Sequence, residues 1–214
     1  MSAAREEMSM PSWVLTARFR LVLSCLVFAA GLSLGCSGGG DVVGSGVTAS
    51  FTGSGTPSAP NVVRLNRVSS SGNLATLEVA LGGPTTSTDL YSFAFDVVLG
   101  DPSVVEYVND SATVGTALTS SGGQTFAVDA SQSGDHVIVG LTKLGGGSGN
   151  GVTASEVNVL RLTFKVLKAG TSTISFSGST SPSNPSGQPA ALASNGVVVA
   201  SVTFDSNPAA IAGM

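Results

Sequence analysis

Residues 157–167 read VNVLRLTFKVL. Within them Leu160, Leu162, Phe164 and Val166 alternate with polar or charged residues. Successive side chains of a β-strand point to opposite faces, so these four apolar side chains share one face and the polar ones share the other. A strand that is apolar on one face only is typical of an antiparallel sheet with one side packed and one side in water.

Other runs in the chain alternate in the same way, most clearly at 75–81 and 90–99. Clusters of Gly, Ser, Asn and Pro separate the runs, which is the pattern of strands joined by turns. The predicted strands are 62–68, 75–81, 90–99, 104–108, 113–118, 125–128, 136–142, 157–167, 171–176 and 196–204. We therefore predict an all-β fold, a single β-sandwich of about nine antiparallel strands. Asn195-Gly196 is predicted to be the turn before the last strand.

Four segments are predicted along the 214 residues. Residues 1–35 are interpreted as a signal peptide and 36–60 as a Gly/Ser-rich flexible linker. The β-sandwich is expected over 61–206, and 207–214 is expected to be a short tail. One folded domain is the number that this length favours.

The signal peptide is predicted from residues 21–34, LVLSCLVFAAGLSL, which carry no charge and follow Arg18 and Arg20. A helix of this length spans about 21 Å, less than the ~30 Å hydrocarbon core of a bilayer. A cleaved export signal is therefore favoured over a single-pass anchor, which remains the alternative. Met10 is an alternative start, because the segment MPSWVLTARFR is a more usual positive beginning.

Residues 33–36, SLGC, resemble the lipobox of bacterial lipoproteins, in which a peptidase cuts before a Cys that receives lipid. Gly35 and Cys36 fit that pattern, whereas the preferred Leu stands one place too early, at Leu32. The resemblance implies that Cys36 is lipidated and anchors the chain to a membrane. Ser37 at the next position implies the outer membrane. Ordinary cleavage and secretion is the alternative.

Composition excludes several classes of protein. Charged residues make up 10% of the chain and the net charge is −4, so phosphate backbones find few cationic partners and nucleic-acid binding is not expected. A hydrophobic content of 42% excludes an acidic disordered tail. One His and two Cys cannot build a His/Cys metal cluster, and no calcium-loop motif is present. We expect no metal and no cofactor.

Three motifs could suggest catalysis, and each has a simpler interpretation. Asp135 and His136 are adjacent, but neighbours on a strand point to opposite faces, so we interpret them as a turn Asp and a His on an edge strand. Asp101-Pro102-Ser103 is interpreted as a turn. Residues 145–151, GGGSGNG, lack the Lys-Ser/Thr of a phosphate-binding loop and are interpreted as a flexible hairpin loop. We therefore expect no catalytic residue.

The order and spacing of these runs resemble the cohesin family, the receptor modules of cellulosomes. Three stretches carry the resemblance: YSFAFDVVLGDPSVVEYV at 91–108, the strand–Gly-rich loop–strand of 136–166, and NGVVVASV at 195–202. In one place the chain departs from the family pattern. Leu99 stands where the family usually has an aromatic residue, and Gly100 looks inserted, which predicts a β-bulge.

The resemblance implies a protein-binding module in which a flat sheet face receives a helical dockerin-type partner. That face is expected on the polar sides of the strands at 90–99 and 136–142. Its predicted contact residues are Ser92, Ala94, Asp96, Ile138, Gly140 and Thr142. Ile138 is the candidate apolar anchor, with polar neighbours that set the register of the partner.

Two alternatives remain from the sequence. A polysaccharide-binding module would share the sandwich fold, so the fold does not exclude it. A flat sugar-binding strip needs exposed aromatic rings, however, and the only Trp of the chain, Trp13, lies in the predicted signal peptide. An association with polysaccharide breakdown through a partner stays open. The second alternative is a structural lipoprotein of the cell envelope, and an enzyme is the class that the sequence favours least.

Overall fold

The computed structural model describes residues 46–119, 125–178 and 187–214. Every regular element in these ranges is a β-strand. In chain order the strands are β1 (Ala49–Thr52), β2 (Val62–Ser71), β3 (Leu74–Gly82), β4 (Ser92–Leu99), β5 (Val105–Tyr107), β6 (Thr113–Val114), β7 (Thr125–Ser133), β8 (His136–Leu144), β9 (Glu156–Val166), β10 (Gly170–Ser177), β11 (Ala190–Leu192), β12 (Thr203–Phe204) and β13 (Ala209–Gly213). None of these ranges contains a helix with the length and hydropathy needed to span a membrane. The predicted signal peptide and Cys36 lie outside the described residues.

The strands form two sheets. Sheet I has the order β1-β13-β10-β4-β8-β7, with β11 also paired to β4. Sheet II has the order β12-β2-β3-β9-β5, with β6 also paired to β9. The pairing of β12 with β2 is parallel and the other strand pairings are antiparallel. The predicted all-β sandwich is confirmed.

The core lies where the apolar faces of the two sheets meet. Phe93 and Phe95 of β4 are fully buried from sheet I, and Leu162 and Phe164 of β9 are fully buried from sheet II. The ring of Phe95 also packs against Phe176 at a centroid distance of 5.4 Å. Full burial of such side chains contributes about 1.5–3 kcal/mol each, so this alternation stabilises the sandwich and fixes which residues face outward.

The sandwich extends beyond the predicted limits of 61–206. β1 lies in the predicted linker and β13 in the predicted tail, and the two pair in register from Ala49–Gly213 to Thr52–Ala210. Their apolar side chains enter the core, and β13 also pairs with β10. The two runs are short and rich in Ala, Gly, Ser and Thr, so their alternation is too weak to distinguish them from linker sequence.

The predicted strand at 196–204 does not form as one element. The turn at Asn195-Gly196 is present, since Gly196 has a φ of 80° and its N–H donates to the Ala193 carbonyl. After it, a single bridge joins Val198 to Leu192, and only β12 remains of the predicted strand. The chain turns again at 200–201, and Val197 is 61% exposed rather than in the core.

The predicted bulge at Gly100 is wrong. β4 pairs with β8 without a register shift, and the shifts lie instead in the pairings of β2 with β3 and of β3 with β9. Gly100 follows the end of β4, where its N–H donates to the Thr173 carbonyl at 2.8 Å. A Cβ atom at this position would collide with the Thr173 hydroxyl. The close approach of Gly100 to β10 therefore explains why a glycine stands here.

Candidate partner-binding face

The structure brings the six predicted contact residues together on one surface. β4 and β8 are neighbours, and the six residues form three directly opposed pairs: Ser92 with Thr142, Ala94 with Gly140, and Asp96 with Ile138. Opposed residues of paired strands share a face, and the residues between them point into the core. The six therefore lie on the outer face of sheet I.

β7 adds residues that the sequence analysis missed. Ala127, Asp129 and Ser131 stand opposite Thr142, Gly140 and Ile138, and all three are exposed. The predicted strand ended at 128, because the following residues DASQS contain no apolar alternation. We call the nine residues of these three strands the candidate face: Ser92, Ala94, Asp96, Ala127, Asp129, Ser131, Ile138, Gly140 and Thr142.

Ile138 is the largest apolar side chain of the candidate face and is 44% exposed. Its neighbour along the strand is Gly140, where an added Cβ would meet no atom within 4 Å. Ala94 and Ser92 beside them are small and only partly buried. The face is therefore low, with one apolar side chain standing above small neighbours.

Asp96 differs from its prediction. It lies on the outer face by register, but it is 4% exposed and not in water. Its Oδ2 lies 3.1 Å from Nδ1 of His136. A buried carboxylate is costly unless hydrogen bonds or charges compensate it, and the imidazole of His136 is one such partner. The role of Asp96 as a contact residue stays a prediction.

The prediction that Asp135 lies in a turn is confirmed, but two other parts of the prediction for Asp135 and His136 are wrong. Nε2 of His136 lies 3.8 Å from Oδ1 of Asp135, so the two side chains do meet. Asp135 belongs to the turn between β7 and β8, and the alternation of strand side chains does not apply there. β8 lies between β4 and β7 and is not an edge strand. Among the described residues no group of three or more His, Cys, Asp or Glu could hold a metal ion.

The Gly-rich segment 145–151 is held by a buried lysine. Lys143 is 7% exposed, and its Nζ donates to the Ser148 carbonyl at 2.9 Å and to Asn150 Oδ1 at 3.2 Å. The ammonium also lies 5.8 Å from the ring centre of Tyr91, within cation–π range. These contacts fix the connection between β8 and β9 at the end of the sandwich. They also use the ammonium group of Lys143, which a bound phosphate would need.

Two aspartates hold turns at the ends of strands. Asp89 accepts hydrogen bonds from the Gly149 N–H and from the Ser194 hydroxyl and N–H, and these bonds lower its pKa. Asp101 accepts hydrogen bonds from the hydroxyl and N–H of Ser103, which lower the pKa of Asp101. The hydrogen bonds between Ser103 and Asp101 confirm the turn predicted at 101–103. Both carboxylates are used within the fold.

A cleft of about 480 Å³ lies between residues 52–57 and residues 64–67 of β2. Arg64 crosses this region, donating to Glu156 and to the Thr56 carbonyl. None of the lining residues belongs to the candidate face, and the cleft contains neither a carboxylate nor an imidazole. It therefore offers no acid–base pair for catalysis.

Comparison with known proteins gives matches in structure alone. No family model and no curated protein matches the sequence. A type II cohesin domain from the cellulosome of Acetivibrio cellulolyticus is 20% identical, with 76% of this chain and 94% of that chain covered and a TM-score of 0.48.

Two further cohesin structures are similar. A type II cohesin–X-dockerin complex from Acetivibrio cellulolyticus is 13% identical, with 67% of this chain and 92% of that chain covered and a TM-score of 0.46. A non-cellulosomal cohesin from the archaeon Archaeoglobus fulgidus is 11% identical, with 75% and 86% covered and a TM-score of 0.38. These structures belong to the family that the sequence resembles, and they are what this chain is similar to.

Proposed function

We propose that this chain is a non-catalytic binding module that docks a dockerin-type protein on the candidate face. The observation that carries the proposal is the exposure of Ile138 at the centre of three paired strands. A single exposed Ile is common on protein surfaces. Here, however, it stands among small side chains that leave a partner free to approach the sheet closely.

The small neighbours of Ile138 suit a helical partner. A helix that lies across a sheet needs a low surface so that its side chains reach the backbone level of the strands. Ala94 and Gly140 provide that surface near Ile138, and Ala127 extends it beside Thr142. Affinity in such interfaces is concentrated in a few central contacts that exclude water, and Ile138 has the position of such a contact.

The aromatic residues support a protein partner over a polysaccharide. No aromatic side chain is exposed in the part of the chain that the structure describes. Phe51, Phe93, Phe95, Tyr107 and Phe164 are buried, and the others are half-buried. Flat polysaccharide surfaces are bound by exposed rings, because sugar faces stack on them. The class of partner follows the sequence resemblance, and one similar structure is itself a cohesin–dockerin complex.

The proposal is tested by titration calorimetry of the full chain against each dockerin-repeat protein encoded by the same organism. We expect at least one to bind with a Kd of about 1 μM or below, which is a free energy near −8 kcal/mol. Ile138→Gln should weaken that binding at least about tenfold, which corresponds to 1.4 kcal/mol. Leu74→Gln is the matched control, because Leu74 is 39% exposed on the outer face of sheet II. Absence of binding, or equal effects of the two substitutions, would contradict the proposal.

We further propose that the module is exported and held at a membrane by lipid on Cys36. The apolar run 21–34 and the Gly35-Cys36 pair support this. The measurement is incorporation of labelled palmitate in cells that produce the chain, with Cys36→Ala as the control. Equal labelling of both chains, or a mature protein that begins beyond Cys36, would show ordinary secretion instead.

A further inference from the structure

We infer that the candidate face selects a helix that carries a Lys or Arg one turn away from an apolar side chain. The apolar side chain occupies a notch over Gly140, and the cation pairs with Asp129. This inference rests on the proposed docking function and specifies the chemistry of the partner.

The notch follows from the register of three strands. Gly140 lies between Asp129 on β7 and Ala94 on β4. Along β8, Ile138 and Thr142 flank it on the same face, because they are two residues away on either side. Gly140 has no side chain, and an added Cβ would find open space. The result is a depression over Gly140. Its four bounding side chains are those of Ile138, Ala94, Thr142 and Asp129.

Asp129 is the charged wall of this notch. It is exposed and makes no hydrogen bond or ion pair with the described residues. The other charged groups on the outer face of the strands of sheet I are Asp96 and His136, which contact each other. Over the ranges that the structure describes, no Lys or Arg occupies an outward position on these strands. The face therefore presents a negative potential, which attracts a cationic partner and disfavours an acidic one.

Sheet geometry fixes the spacing that the partner needs. Neighbouring strands lie about 4.8 Å apart, so Asp129 lies close to this distance from Gly140. On a helix, residues three or four apart have Cβ atoms about 5–6 Å from each other. A helix that crosses the strands can thus place an apolar side chain over Gly140 and a cation at Asp129 from consecutive turns.

The test uses a display library in which outward positions of one helix in a rigid two-helix scaffold are randomised. Selections run in parallel on the full chain and on Ile138→Gln, Gly140→Val, Asp129→Lys and Glu106→Lys. Glu106→Lys is the matched charge reversal on the outer face of sheet II, where Glu106 pairs with Lys165. Gly140→Val fills the notch without a collision and suits a strand.

We expect the full chain and Glu106→Lys to enrich helices with a Lys or Arg three or four residues from an apolar residue. Those clones should lose at least about tenfold in affinity for Gly140→Val and for Asp129→Lys. Clones that lack the basic residue, or that bind both variants as they bind the full chain, would overturn the inference. Clones that lose affinity for Ile138→Gln alone would leave the docking function standing without the notch. Failure to enrich any clone sensitive to these three substitutions would remove the docking function as well.

Discussion

The outer faces of sheets I and II differ in how their side chains are paired. On sheet II, the charged side chains of neighbouring strands pair with each other: Arg161 lies 3.2 Å from Glu78, and Lys165 lies 3.2 Å from Glu106. On sheet I, the candidate face has small side chains, the exposed Ile138, and Asp129, which pairs with none of the described charged residues. Both faces belong to sheets that pack on one core, and the strands that carry these residues pair in antiparallel fashion.

The difference shows what folding requires of an outward residue and what it leaves free. The core fixes the inward residues, and the outward ones need only tolerate water and a pleated backbone. The opposed charges of sheet II satisfy this within the molecule, at a gain of about 0.2–1 kcal/mol for each cross-strand pair. Among the described residues the candidate face makes few such pairs, and this is the difference that the docking proposal sets out to explain.

The largest expected effects belong to the core that both faces share. Phe95→Ala in β4 and Phe164→Ala in β9 each remove a fully buried ring, and each should lower the free energy of unfolding by about 3–5 kcal/mol. Urea denaturation measures both. Ile138→Ala, on the exposed side, should change it by less than about 0.5 kcal/mol. A large loss at Ile138 would show that the candidate face is packed, and the contrast between the two faces would fail.

The next prediction compares how much two ion pairs of sheet II contribute to the free energy of unfolding. The side chain of Arg64 is 17% exposed, pairs with Glu156 and donates to the Thr56 carbonyl at 2.6 Å. Arg64→Met should cost about 1–3 kcal/mol, because partly buried acceptors lose a charged donor. The side chain of Arg161 is 47% exposed, so Arg161→Met should cost less than about 1 kcal/mol. The same denaturation experiment compares them, and equal losses would contradict the role of burial.

The sequence predicts six of the nine residues of the candidate face, because alternate residues of a strand share a face. Phe93 and Phe95 of β4 face the core, and so do Val137 and Val139 of β8. The residues that alternate with them must therefore lie on the outer side of the sheet. Alternation alone does not show which strand lies next to which. The polar half of β7 has no apolar alternation, so Asp129 and its neighbours are missed.

The remaining errors have local causes. The burial of Asp96 depends on contacts of the folded chain and not on the position of Asp96 in its strand. β1 and β13 are too short and too poor in large apolar residues to predict alone. They form strands by pairing with each other, and β13 also pairs with β10. Asp135 meets His136 because a turn residue does not obey the alternation of a strand.

A smaller effect contrasts two glycines. Gly140 on the candidate face faces open space, whereas a Cβ at Gly115 would collide with the backbone of Asn158 in β9. Gly140→Val should therefore raise the free energy of unfolding by about 0.5–1 kcal/mol, because glycine is costly within a strand. Gly115→Ala should lower it. Thermal unfolding of both variants checks this, and a loss of stability in Gly140→Val would mean that the fold itself requires the glycine.

The smallest expected effect is a change in how stability depends on pH below neutrality. It is expected at Asp205, at the edge of sheet II, rather than on the candidate face. Burial by itself would raise the pKa of Asp205, but hydrogen bonds from the Ser54 hydroxyl at 2.6 Å and the Asn207 N–H at 3.0 Å outweigh it and lower the pKa. A carboxyl with a lowered pKa in the folded state stabilises the fold above its unfolded value of about 4, and the stabilisation is lost as the pH falls through the folded pKa. Asp205→Asn should therefore reduce stability at pH 7 and make its decline below about pH 4 shallower. Asp129→Asn is the control, because this carboxylate accepts no hydrogen bond within the described residues. Melting temperatures across the acid range compare the two variants, and an Asp205→Asn profile that matches the unaltered chain would contradict the role of these hydrogen bonds.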